Sequence, residues 1–110
     1  MTKLAQSPTP LALDLVRERC VHLAQTLFAS EPKLRIVLFG SRARDTHGPR
    51  SDFDIGIEAG RPLPLADLSL AREAMEALPM LETVDLVDLA AVDDDFRREA
   101  ERSIVVLYER

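Results

Sequence analysis

The chain has 110 residues, enough for one hydrophobic core and too few for two. Its 46% hydrophobic and 30% charged residues are ordinary for a globular protein and argue against disorder. A net charge of −5 argues against general nucleic-acid binding, which needs clustered Lys and Arg. Charge is nevertheless local: between Glu31 and Arg50 five basic residues (Lys33, Arg35, Arg42, Arg44, Arg50) face two acidic ones (Glu31, Asp45). The lone Cys20 excludes an internal disulfide and a Cys-rich zinc site, and packing is its expected role. The N-terminal stretch carries no long apolar run and no signal-peptide pattern, so a cytoplasmic location without membrane association is expected.

Residues 1–9 read as a flexible tail and 10–110 as a single domain. Thr9-Pro10 has the form of an N-cap and first helical position. Leu13, Val16, Cys20, Leu23 and Leu27 then repeat at steps of three and four, the stripe of an amphipathic helix ending near Glu31-Pro32. The run LRIVLF (34–39) predicts a buried strand, and 41–50 a polar turn that can open with a helical turn. DFDIGIE (52–58) alternates strictly and predicts a second strand. After AGRPLP (59–64), Leu68, Ala71, Met75 and Leu78 mark a second helix. ETVDLVDL (82–89) predicts a third strand, DDDFRREAER (93–102) a short helix with acids first, and IVVLYE (104–109) a closing strand. The order α-β-β-α-β-α-β implies a small α+β (two-layer α/β) domain. Its four-stranded sheet must be mixed, because the first two strands are too closely joined for a helical crossover.

The second strand raises a chemical question. Side chains alternate along a strand, so Asp52 and Asp54 share one face while Phe53, Ile55 and Ile57 take the core face. Two carboxylates roughly 6–7 Å apart repel unless a cation bridges them, and hard oxygen ligands suit Mg²⁺. The third strand can add one more: Asp85 and Asp88 are three apart, so parity admits only one and does not say which. An Asp-x-Asp alone is weak, since ten aspartates in 110 residues supply about one by chance. Asp93-x-Asp95 is a second copy, which a helix N-terminus explains fully.

Gly40-Ser41 sharpens the reading. It follows a buried strand directly and precedes Asp52 by about ten residues. Glycine allows close backbone approach to a ligand, and a helical turn there offers N–H groups and the Ser41 hydroxyl to a phosphate. Arg42 and Arg44 add positive charge. Alone, Gly-Ser is an ordinary turn; next to paired carboxylates it describes a metal–nucleotide site.

The segment GSRARDTHGPRSDFDIGIE (40–58) resembles the Gly-Ser, spacer, Asp-x-Asp signature of the minimal nucleotidyltransferases of the DNA polymerase β-like superfamily. VDLVDL resembles that family's third-carboxylate strand and SIVVLYER its closing strand, so the resemblance spans nearly all of 10–110. Asp45 departs from it, standing where these proteins often carry glycine. The resemblance implies that Asp52 and Asp54 hold two Mg²⁺ ions, that Asp85 completes the site where an acceptor hydroxyl is deprotonated, and that Gly40 and Ser41 bind phosphates with help from Arg42 or Arg44. It implies transfer of a nucleotide, AMP from ATP or another NTP, with release of pyrophosphate. It also implies a small, all-helical partner encoded alongside, which is either a substrate-binding subunit or a HEPN-type ribonuclease toxin neutralised by AMPylation of a tyrosine. The segments LETVDLVDLAAVDDDF and VLYER lean toward the substrate-binding branch. The remaining alternative is a non-catalytic nucleotide-binding protein, which the presence of all three carboxylates disfavours. An exposed apolar helix face would allow a homodimer within a hetero-oligomer.

Four further residues carry weaker readings. Glu58 shares the face of Asp54 but lies about 13 Å along the strand, at the rim. His47 in the loop is expected to be exposed, although it could touch phosphate. His22 is expected to be solvated, and Tyr108 to pack against an edge.

Overall fold

The computed structural model describes residues 11–44, 48 and 52–110. The predicted tail, the Thr9-Pro10 cap, Asp45, His47 and Arg50 lie outside these residues. Helix α1 spans Ala12–Gln25 and buries Val16, Cys20, Leu23 and Ala24. Leu13 and Leu27, the expected ends of its stripe, are only partly buried. Phe28 takes the deep position instead, 1% exposed. The cause is the helix end: the chain leaves the helix at Thr26, and the Phe28 N–H donates to the Leu23 carbonyl at 2.9 Å. Burial pushes the Cys20 thiol up to about 12, so it stays protonated and serves as packing.

Strands β1 (Arg35–Phe39), β2 (Phe53–Glu58), β3 (Val84–Asp88) and β4 (Val105–Glu109) form one mixed sheet in the order β3-β2-β1-β4. β1 pairs antiparallel with β2 and β4, whereas β2 and β3 are parallel and joined through helix α3 (Leu65–Glu76). Two short helices complete the order: α2 (Gly40–Ala43) at the end of β1, and α4 (Asp94–Ala100) before β4. The polar turn after β1 thus does open as one helical turn. Asp93 caps α4, its side chain accepting from the Phe96 N–H at 2.8 Å, so the second Asp-x-Asp is a helix start.

Alternation along the strands divides the sheet. Ile36, Leu38, Phe53, Ile55, Ile57, Leu86 and Leu107 join the buried faces of α1 and α3 in the main core. The other face is covered by a smaller cluster of Val37, Phe39, Leu89 and Ala100. Leu89 lies directly over Gly56, where an added Cβ would come within 2.7 Å of it. That half of the second face is therefore closed, and a cleft remains toward the other end, where α4 residues Phe96, Glu99 and Ala100 border Phe39, Gly40 and Arg44.

Ionic contacts fix the opposite end of the sheet. Glu58 pairs with Arg35 at 2.8 Å and with Arg97 at 2.7 Å, and Arg97 also donates to the Leu89 carbonyl. Burial raises the Glu58 pKa, but hydrogen bonds from Arg97 and Arg35 outweigh it, so the net shift is downward. A depressed folded-state value means stability that is complete above the ordinary glutamate range and lost as pH falls through the lowered pKa. Glu58→Gln is expected to cost about 1 kcal/mol at pH 7 and to flatten the acid limb of a pH–Tm curve; an unchanged limb would show that the ion pairs carry no net stability. Arg110 performs a comparable task at the end of α1, donating to the carbonyls of Ala24 (3.0 Å), Phe28 (2.6 Å) and Glu31 (2.7 Å). The Ala24 carbonyl, in the last turn of α1, has no partner within the helix; Phe28 and Glu31 follow in the connecting segment. Among the described residues, no helix is long and apolar enough to cross a membrane.

Candidate active site

Three features meet at the open end of the second sheet face: the last residue of β1, the start of β2 and the start of β3. Asp54 is the register partner of Phe39 on one side and of Asp85 on the other. Adjacent strands lie about 4.8 Å apart, so the Asp54 and Asp85 carboxylates stand side by side on one face. Asp52, two residues before Asp54, shares that face and is exposed, as is Asp85, while Asp54 is half-buried.

Gly40 follows Phe39 with φ +74°, a left-handed backbone that side chains rarely adopt. A Cβ at this position would run into the Asp54 carboxylate oxygen Oδ2, and its Cγ would lie at 3.3 Å. The glycine is thus required twice, for its backbone angle and for the space Asp54 occupies. The α2 turn that starts here has Phe39 as N-cap without a side-chain capping bond. Burial, then the neighbouring charges of Asp85 and Asp52, raise the Asp54 pKa, and Arg44 opposes them. A cation placed among these carboxylates relieves the repulsion, and three carboxylates are the hard oxygen donors that Mg²⁺ takes. In the arrangement seen, no three His, Cys, Asp or Glu side chains among the described residues converge as a ready metal cage. Asp52 instead accepts a hydrogen bond from Thr83 Oγ1.

The two arginines of the turn part company. Arg42 is only 11% exposed; its guanidinium lies 3.8 Å over the Phe53 ring and pairs with Glu82 at 3.9 Å. Phe53 faces the main core, so this guanidinium is drawn to the side away from the carboxylates. Arg44 stays exposed, acts on Asp54, and borders a cleft of about 210 Å³ lined also by Phe39, Gly40, Phe96, Glu99 and Ala100. Phe39 and Phe96 meet there edge to face at 6.0 Å.

Other candidates fall elsewhere. Asp88 is 5% exposed and accepts from the Leu63 N–H at 2.7 Å and the Ala90 N–H at 3.0 Å, so it anchors the loops around β3. Its carboxylate is committed away from Asp54, which leaves Asp85 as the β3 carboxylate beside it. Glu58 is held by its two arginines. His22 is exposed, and Tyr108 packs beside the main core with its hydroxyl accepting from Arg110 at 3.0 Å. Thr83 was not singled out by the sequence, because its partner Asp52 is 31 residues away and an isolated threonine before a strand gives no signal.

Residues 23–110 match the family described as Polymerase beta, Nucleotidyltransferase. Over all 110 residues the chain is 29% identical to a probable protein adenylyltransferase, MntA of Haemophilus influenzae, covering 91% of that protein. It is similar to the solved structure of a toxin–antitoxin complex with AMP-PNP, with TM-score 0.64, 29% identity, and coverage of 86% of this chain and 73% of the other. A tri-AMPylated HEPN toxin of Shewanella oneidensis in complex with its MNT antitoxin matches at TM-score 0.63 and 25% identity, over 91% of this chain and 74% of that one. The match covers most of the chain, from the last turn of α1 to the end of β4, and the chain belongs to the polymerase β nucleotidyltransferase family.

Proposed function

We propose that the chain is a Mg²⁺-dependent adenylyltransferase that moves AMP from ATP to a hydroxyl of a small helical HEPN-type partner. The observation that carries the reading is the abutment of Gly40 on Asp54, which sits beside Asp85. A phosphate chain laid against the Gly40–Ser41 backbone is thereby within reach of the carboxylates. Arg44, exposed beside them, neutralises phosphate charge; Arg42, held by Phe53 and Glu82, keeps α2 in place. Asp52 and Asp54 would hold both cations, with Asp85 completing the site on the acceptor side. When bound, those ions stabilise the entering and leaving oxygens of an in-line displacement. The acceptor oxygen bonds to the α-phosphorus as the bond to the β-phosphate oxygen breaks. Pyrophosphate departs, and the acceptor proton passes to a base on the Asp85 side or to water.

The cleft beside Gly40 and Arg44, about 210 Å³, falls below the roughly 300 Å³ at which ligand pockets begin. A bound partner would add walls around a whole nucleoside triphosphate there. The named relatives shift the weight from a general substrate-binding subunit toward the toxin–antitoxin branch. Incubation with α-³²P-ATP, Mg²⁺ and the helical protein encoded alongside is expected to label that protein, and Asp52→Asn to abolish the label. Absence of transfer from any of the four nucleotides, with both proteins folded, would sink the catalytic reading.

A further inference from the structure

We propose that Thr83 is a positioning residue that presets the Asp52 carboxylate for divalent-cation binding; this rests on the metal-dependent reading above. Asp52 lies one residue before β2, whose ladder begins at Phe53, and its side chain is exposed. Nothing in a strand ladder therefore fixes its rotamer. Thr83 does so from the neighbouring segment: its Oγ1 donates to Asp52 Oδ1, and its carbonyl accepts the Phe53 N–H at 2.9 Å. One residue thus holds both the main chain beside Asp52 and the carboxylate itself. Thr83 is two residues before Asp85, so alternation places it on the face that carries the carboxylates.

The chemistry of the contact favours cation binding. A carboxylate offers about four lone-pair positions, and the hydroxyl occupies one on Oδ1. Among the described residues Oδ2 makes no hydrogen bond, and the bond to Oδ1 restricts the rotation of the group. The threonine is a stiff support because β-branching restricts its own χ1. Ordering Asp52 before the cation arrives removes part of the ordering cost of binding. Partners of this kind typically change metal affinity by about 10–100-fold. A solvent-exposed hydrogen bond adds little to folding stability by comparison.

The test is a Mn²⁺ titration followed by the EPR signal of the free ion, with neither nucleotide nor partner present. Wild type, Thr83→Val and Thr83→Ser are compared, with melting curves in EDTA alongside. The expected result is weaker Mn²⁺ binding by Thr83→Val, about tenfold, recovery in Thr83→Ser, and closely matched melting curves for all three. Equal binding by wild type and Thr83→Val would overturn the inference while leaving the catalytic reading intact. So would a Thr83→Ser variant as weak as Thr83→Val, or a fall in Tm that accounts for the weaker binding, because either marks a merely structural contact. Wild type that takes up no Mn²⁺ would overturn this inference, whereas the metal-dependent reading stands or falls with the transfer assay in the presence of ATP.

Discussion

Asp54→Asn should abolish nucleotidyl transfer and, in the same protein without metal, raise the melting temperature at neutral pH. The two effects have one origin. Burial, Asp85 and Asp52 all disfavour the charged form of Asp54, and they outweigh Arg44, which among the described residues favours it, so its folded-state pKa is raised. Between the ordinary aspartate value and that raised value, the native state binds more protons than the unfolded chain. Stability therefore falls as pH rises through this window, and the cost of the charge is fully present above it. An amide removes the charge and that cost, so Tm in EDTA should rise rather than fall. It also removes the central carboxylate between Asp52 and Asp85. Metal stabilisation of the transition state is worth several kcal/mol and each 1.36 kcal/mol is tenfold, so transfer should fall by at least about 10³-fold. Addition of Mg²⁺ should raise the Tm of wild type and scarcely move the variant. A variant that melts lower than wild type in EDTA would show that Asp54 is held by favourable contacts, contrary to its surroundings.

Gly40→Ala should be nearly inactive and clearly destabilised. Its φ of +74° costs a side-chain-bearing residue about 1–3 kcal/mol. The new methyl group also meets Asp54 Oδ2, so either the turn or the carboxylate must move. The strain alone predicts a fall in Tm of about 5–15 °C, and displacement of Asp54 predicts the loss of transfer. Gly60 is the internal control. It has a similar φ of +84°, but an added Cβ finds nothing within 4 Å. Gly60→Ala should lose stability for the same backbone reason and keep its transfer activity. Equal activity of the two variants, measured below both melting temperatures, would show that the space between Gly40 and Asp54 is not what the reaction requires.

Much of this arrangement was legible in the sequence, for identifiable reasons. Alternation placed Asp52 and Asp54 together and Phe53, Ile55 and Ile57 in the core, because a strand has only two faces. Apolar runs and their punctuation gave the four strands and the three longer helices in order, with strand ends off by one or two residues, and left α2 as the opening of a polar turn. Parity allowed either Asp85 or Asp88 beside Asp54; the pairing of Asp54 with Asp85 depends on how α3 sets the parallel register, a tertiary matter. The different fates of Arg42 and Arg44 were equally hidden, since they depend on a ring and a carboxylate from other elements. Phe28 displaced Leu27 from the core because the helix stops early, and periodicity assumes that it continues. Thr83 belongs to the same class of long-range contact.

The guanidinium of Arg110 reaches carbonyls at the end of α1, joining positions 86 residues apart. Beside it, the Arg110 and Leu34 main chains exchange hydrogen bonds of 3.0 and 3.4 Å. The first helix is thus tied to the last strand. Contacts of such separation slow folding, because the loop entropy must be lost before they form. Amide hydrogens of α1 and of the β1–β4 ladder should then exchange through one shared opening, so that the carboxylate site stays assembled until the whole unit comes apart.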